Sequence, residues 1–211
     1  MKKSEEKRRP PDTMTICYGI ADKLYLNLTN RCNNNCTFCL RRGKRGIAGY
    51  DLRLKEDPTA EAVNRSLDRL NLQKYAELVY CGFGEPTLAL DVLLKSARHV
   101  RESSRIPIRL NTNGLANLAY QTDITPKLHG LVDTVSISLN AKNAREYNRL
   151  CRPAYGEAAF GGLLDFARRC AGQVPKVVFT VVDILPGADI EACRKIAREA
   201  GAELRVRRYQ K

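Results

Sequence analysis

No apolar run in these 211 residues approaches the length of a membrane span. The charged start, Met1–Pro11, leads into no apolar signal-peptide core. These two absences set the expectation of a cytoplasmic protein with no membrane partner. Biased tracts, internal repeats and an interdomain linker are missing too, which argues against general disorder and against a string of modules. Histidine is scarce: His99 and His129 stand alone on helix-like segments, so neither is a convincing ligand or general base. What remains is a chain long enough for one compact domain with a substantial core.

Cysteine, by contrast, is plentiful. Eight occur, and three of them crowd into Cys32–Cys39 while the other five are scattered. A secreted disulfide scaffold would be shorter and richer in loops, so a local cluster in a reducing compartment points to metal. Positive charge is also abundant, at a formal net +13, and uneven: residues 1–45 hold 11 Lys/Arg against 4 Asp/Glu. Lys2–Arg9 reads as a solvated surface. Arg41–Arg45, directly after the cysteines, reads equally as surface or as a field favouring anionic ligands, nucleic acid and phosphorylated metabolites included.

Strand-like runs alternate with amphipathic segments. Leu24–Leu28, Leu78–Tyr80, Ile106–Leu110, Thr134–Leu139, Val177–Val182 and Glu203–Arg207 have strand character. Helical spacing appears between them, at Val63, Leu67 and Leu70 (with Asp57 as N-cap and Pro58 first in the helix), and at Leu93, Ala97 and Val100. It recurs at Thr122–Leu128, Ala144–Leu150 and Gly162–Cys170, and at Ile190–Ala200, where Asp189 is the expected cap and Gly201 the stop. Six strands separated by helices predict an α/β fold with a parallel sheet and right-handed crossovers. Thr15–Tyr18 can add a short strand, pairing with the first across Ala21-Asp22. Residues 1–22 therefore read as a basic N-terminal extension and 23–211 as the core domain. Sites in such folds lie beyond the carboxyl ends of the strands, and every unusual motif here follows a strand.

The first such segment reads Asn27-Leu28-Thr29-Asn30-Arg31-Cys32-Asn33-Asn34-Asn35-Cys36-Thr37-Phe38-Cys39, with C-x3-C-x2-C spacing. Three consecutive asparagines favour a loop over a helix. Thiolates bind iron–sulfur clusters and zinc alike. A structural zinc site is closed by four protein ligands, and this loop offers three. Zinc would have to recruit Cys17 or Cys81, giving a zinc-stapled nucleic-acid-binding module without catalysis. Three cysteines around a four-iron cluster instead leave one iron open to a small molecule.

The C-x3-C-x-aromatic-C pattern after a first strand resembles the radical S-adenosylmethionine (SAM) superfamily. That resemblance implies a partial (β/α)6 TIM-like barrel and an enzyme. Its cofactors would be a [4Fe-4S] cluster and SAM, cleaved to a 5′-deoxyadenosyl radical that abstracts hydrogen from a substrate the sequence does not identify. Cys32, Cys36 and Cys39 would be the iron ligands and catalytic centre, with Phe38 near the adenine. A reductant such as a flavodoxin or ferredoxin would be the partner.

Later loops match as well. Cys81-Gly82-Phe83-Gly84-Glu85-Pro86 looks like the family's Gly-Gly-Glu-Pro element, so Gly82, Phe83, Gly84 and Glu85 would lie against the SAM amino group. Asn111 and Asn113, in an Asn-Thr-Asn-Gly turn, carry amides able to bind carboxylate or ribose. Ser136, Ser138 and Asn140 share one side of the fourth strand by alternation, and the matching family positions contact the SAM carboxylate and ribose. Asp183 would lie in the adenine region. Cys151, before Arg152-Pro153, reads as a loop residue and the best of the remaining cysteines for a substrate-side role. Within the superfamily, the chain looks most like the small TatD-linked group, which implies a functional link to a TatD-type nuclease. The Leu-Asn-Leu-Thr-Asn-Arg-Cys-Asn, Gly-Phe-Gly-Glu-Pro-Thr and Arg-Val-Arg-Arg-Tyr segments carry that likeness.

Overall fold

The computed structural model describes residues 14–209, so the Lys2–Arg9 cluster lies outside the described residues. The chain begins with β1 (Cys17–Ile20) and β2 (Lys23–Leu26), joined across Ala21-Asp22. After the cysteine loop come a 3-10 turn at Leu40–Arg42 and a small hairpin of β3 (Gly46–Ile47) and β4 (Tyr50–Asp51). There follow α1 (Ala60–Asp68), β5 (Glu77–Tyr80), α2 (Leu90–Ser103), β6 (Ile108–Thr112) and α3 (Ala116–Tyr120). The chain then forms β7 (Thr134–Ser138), α4 (Ala144–Cys151), α5 (Ala158–Ala171), β8 (Lys176–Val182), α6 (Gly187–Glu199) and β9 (Glu203–Arg207).

Seven strands form one sheet in the order β1-β2-β5-β6-β7-β8-β9. Only β1 is antiparallel; the six expected strands run parallel, with Tyr25 opposite Val79, Asn111 opposite Ser136 and Thr180 opposite Arg205. Among the described residues β9 does not pair back with β1, so this is a partial barrel. Strand alternation sorts the side chains. Leu24, Leu26, Leu78, Tyr80, Ile108, Leu110, Val135, Ile137, Phe179 and Val181 face the helices and form the core. The opposite, inner face carries Arg109, Asn111, Ser136, Ser138, Thr180 and Arg205. It is curved: Arg205 on β9 lies within electrostatic reach of Tyr25 on β2, though four strands separate them in the sheet. A parallel sheet usually buries apolar residues on both faces, so a polar inner face implies that something polar occupies it.

Several boundaries differ from the sequence expectation for identifiable reasons. Thr59, not Asp57, caps α1: its hydroxyl accepts from Ala62 N at 3.2 Å, while Asp57 pairs with Arg31 at 2.8 Å. Asp189 is not the cap of α6. Pro186 precedes the helix, and Asp189 sits in its first turn, paired with Lys142 at 2.6 Å. Helix α5 starts four residues earlier than the pattern suggested, because Gly161 and Gly162 are helical. A Cβ on Gly162 would come within 2.5 Å of Leu118 in α3, so glycine there lets the two helices approach. Cys151 ends α4 and is fully buried, rather than lying in a loop.

Candidate active site

The cysteine loop leaves the carboxyl end of β2 and is held from three sides. Asn27, fully buried, donates to Leu52 O at 2.8 Å and accepts from Phe83 N at 3.2 Å. Asn30 makes a reciprocal pair with Leu54, donating to its O at 2.7 Å and accepting from its N at 3.1 Å. The second support is the carboxyl end of α4. Asn35 N donates to Cys151 O at 3.0 Å, Thr37 N to Leu150 O at 2.9 Å, and Asn34 Nδ2 to the buried Tyr147 hydroxyl at 2.9 Å. The loop thus satisfies carbonyls that a helix end leaves unpaired.

Arginines form the third support. Arg41 donates to the Cys39 sulfur at 3.4 Å and to Asn30 O at 2.8 Å, and reaches Asn34 O at 3.5 Å. Arg42 donates to Cys36 O at 3.0 Å and Asn35 Oδ1 at 2.8 Å. Arg45 pairs with Asp51 at 2.8 Å. Arg41 and Arg42 thus brace the loop through its carbonyls and Arg45 is ion-paired, while Arg42, Lys44 and Arg45 stay exposed to solvent.

All three motif thiols are free and half-buried. Burial, then the Glu85 carboxylate, pushes Cys32 up to about 12, against the pull of the Asn34 N–H at 3.4 Å. The Cys151 thiol lies within hydrogen-bonding reach of the Cys36 sulfur and lowers the Cys36 pKa; the same contact and burial raise Cys151. Cys151 therefore sits beneath the loop rather than on the substrate side. Burial holds Cys17 and Cys170 near 12 and Cys193 near 11, as inert packed thiols.

The β5 and β6 loops are sewn to each other by one carboxylate. Glu85, 3% exposed, accepts from Thr87 N and Oγ1 at 3.1 and 2.8 Å, from Thr112 Oγ1 at 2.7 Å and from Asn113 N at 2.7 Å. Burial raises its pKa against those donors. Its side chain serves as a brace between loops. Gly82 and Gly84 are required by their neighbours: a Cβ would approach the Asn27 side-chain Oδ1 to 2.0 Å and the Thr29 carbonyl oxygen to 2.3 Å. Phe83 packs with Tyr18 and Leu52, and Phe38 rests against the main core.

Asn113 donates to Asn33 Oδ1, and its amide lies 4.0 Å from the Cys32 sulfur, which brings the third loop to the cysteines. Ser136 accepts from Arg205 at 3.4 Å, and Ser138 is half-buried on the same strand. Asn140, in a left-handed turn (φ 54°), donates to Cys151 Sγ at 3.8 Å. Asp183 accepts from Tyr209 N at 2.7 Å and clamps the ends of β8 and β9. Tyr147, Arg41, Arg42 and Thr112 complete the arrangement. The two arginines gave a sequence signal by following the cysteines directly, and Thr112 by its place in the Asn-Thr-Asn-Gly turn; Tyr147 gave none.

The donor set fits an anionic iron–sulfur cluster: free thiols, with a backbone amide and a guanidinium aimed at the sulfurs. Among the described residues no three His, Cys, Asp or Glu side chains close on one point, as a single zinc ion would require. The strand-end loops also fit a polar cofactor. Buried Asn34 Oδ1, Asn111 Oδ1 and Asn140 Oδ1 have no hydrogen-bond partner, and such atoms are costly unless a ligand meets them.

The radical SAM superfamily model matches residues 26–200, from β2 into α6. The chain belongs to the radical SAM superfamily. The superfamily's cofactors are a [4Fe-4S] cluster and SAM. Among curated relatives, GTP 3′,8-cyclase 2 of Mycobacterium tuberculosis is 29% identical over 191 residues, covering 89% of this chain and 50% of the relative. The GTP 3′,8-cyclase of Streptomyces coelicolor is 30% identical over 172 residues, covering 81% and 47%. The chain thus spans about half the length of the curated relatives it matches. Among solved structures, a radical SAM methyltransferase from Sphaerobacter thermophilus aligns with a TM-score of 0.61 at 20% identity, covering 91% of this chain and 57% of that one. Streptococcus suis SuiB bound to S-adenosylmethionine aligns at 0.63 and 16%, covering 89% and 38%. These likenesses establish the partial-barrel fold.

Proposed function

We propose that this radical SAM chain is an enzyme that binds its [4Fe-4S] cluster through Cys32, Cys36 and Cys39 and SAM across the strand ends, and abstracts hydrogen from a substrate. The observation that carries the reading is the cysteine loop itself. Three free thiols sit on a backbone fixed by α4, Asn27, Asn30 and two arginines, beside strand ends whose amide oxygens lack partners. When bound, the cluster supplies the electron that splits SAM into methionine and the hydrogen-abstracting radical.

The chain's own residues have separable tasks. Arg41 and the Asn34 N–H aim positive and dipolar character at the Cys39 and Cys32 sulfurs, where the anionic cluster would be held. Glu85 fixes the β5 and β6 loops in register, so that Asn113 meets the cysteine loop. Asn111 and Asn140 offer amide oxygens to the polar groups of SAM, and Ser136 and Ser138 offer hydroxyls from β7.

The subgroup remains part of the proposal. The three segments quoted above support membership of the TatD-linked group, with a TatD-type nuclease as functional partner and a flavodoxin or ferredoxin as electron donor. GTP, named in the relatives' activity, is one substrate to try. The test of the cofactor reading is metal analysis after anaerobic reconstitution. About four irons and four sulfides per chain support it; one zinc and strongly salt-dependent RNA binding would revive the nucleic-acid module.

A further inference from the structure

The inner face of the sheet holds more cations than its carboxylates can neutralise. Strand alternation places Lys23, Arg109, Lys176, Arg205 and Arg207 there, with Glu77 and Glu203 as their acidic neighbours. Glu77 is shared by Lys23 at 2.9 Å and Arg109 at 3.1 Å, and Glu203 takes Lys176 at 2.8 Å. No carboxylate among the described residues lies within ion-pairing distance of Arg205 or Arg207; Arg205 reaches only the Ser136 hydroxyl, at 3.4 Å. Arg109 is only 7% exposed, and its Nε has no hydrogen-bond partner.

These arginines repel one another. Loss of water, then the facing cations of Arg109 and Arg207, lowers the Arg205 pKa. Arg207, at the carboxyl end of β9, is solvent-exposed. Beside Arg205 is a cavity of about 590 Å³, lined by Glu77, Arg109, Ser136, Lys176, Glu203 and Arg205 but not by Arg207. That cavity lies toward the amino ends of the strands, on the far side of the inner face from the cysteine loop. Its size suits a small molecule. Two guanidinium groups with spare donors line this cavity, the buried Arg109 and the exposed Arg205, an arrangement suited to a bidentate oxyanion.

We infer that Arg109 and Arg205 bind the anionic end, phosphate or carboxylate, of a small-molecule substrate whose reacting end extends toward the cysteine loop. This rests on the radical SAM reading of that loop and adds the substrate's chemical class. The repulsion between these two cations is offset when a multiply charged anion sits between them.

The test is anaerobic calorimetry on the full, cluster-loaded chain with SAM present, at low ionic strength, using inorganic pyrophosphate and citrate as separate probes. At least one probe should bind at a single saturable site. Arg205→Ala should weaken it about tenfold or more, Arg205→Lys should restore part of the loss, and Arg109→Lys, which keeps a cation beside Glu77 but loses the planar fork, should weaken it too. Arg168→Ala, an exposed cation on α5, should leave it unchanged. Tighter pyrophosphate indicates a phosphorylated substrate, and tighter citrate a polycarboxylate. The inference is overturned if neither probe saturates, or if Arg168→Ala weakens binding as much as the inner-face variants. Iron content of the same samples is a separate reading, so failure of the cluster assignment and failure of the anion site can be told apart.

Discussion

Arg41 serves acceptors in different directions: the Cys39 sulfur and the carbonyls of Asn30 and Asn34. A planar guanidinium can do this, whereas an ammonium on a flexible stem cannot hold all of them. Arg41→Ala should therefore speed loss of the cluster to a chelator about tenfold or more, with Arg41→Lys intermediate; iron retained against time checks it. Glu85 makes a second residue-level case. In Glu85→Gln, the new amide nitrogen would face the Asn113 N–H now bound at 2.7 Å, or else displace the threonine donors. Leaving a buried donor unpaired costs about 1–3 kcal/mol, visible as a lower urea midpoint. The pH dependence has a definite sign. Burial raises the folded-state pKa of Glu85 above its ordinary value, so its contribution is complete below the usual carboxylate range and falls as pH rises through the raised value. Glu85→Gln should flatten that part of the stability–pH profile.

At the scale of elements, the cysteine loop and α4 act as one unit. The loop's asparagines dock on the last turn of the helix, with Asn34 Nδ2 on the Tyr147 hydroxyl and Cys151 beneath Cys36. Tyr147→Phe keeps the ring and removes the acceptor. It should cost about 1–3 kcal/mol of stability and lower cluster occupancy while far-UV circular dichroism is unchanged. If occupancy and stability are both as in wild type, α4 is not the loop's support. This docking was invisible in the sequence, because it joins residues more than a hundred positions apart, and neither Tyr147 nor Cys151 belongs to a motif. The six parallel strands were legible because Leu, Ile and Val alternate along them toward one core. Helix α3 and the β3–β4 hairpin were not: five residues and two-residue strands are too short to show a period. The glycines of the β5 loop were legible as close-approach positions. That the approaching group is the Asn27–Arg31 segment became apparent only from the packing.

For the whole molecule, the division between core and site has a consequence. The core lies between the helices and the apolar face of the sheet, while the three thiols lie on a loop beyond it. Removing iron with a chelator under reducing conditions should leave far-UV circular dichroism nearly intact and abolish the cluster's visible absorbance; global unfolding on iron loss would contradict this partition. Among the described residues no helix is long and apolar enough to cross a membrane. Of the net charge of +13, Arg109 is buried and Arg41 half-buried against the cysteine loop, while Arg42, Arg205 and Arg207 are exposed. The central claim concerns what that site does. The most direct measurement is 5′-deoxyadenosine released from SAM by the anaerobically reconstituted, strongly reduced full chain, beside the Cys32→Ala/Cys36→Ala/Cys39→Ala variant. The wild type should form it and the triple variant should not. A wild-type protein with its full complement of iron and sulfide that releases no more 5′-deoxyadenosine than the variant would contradict the account.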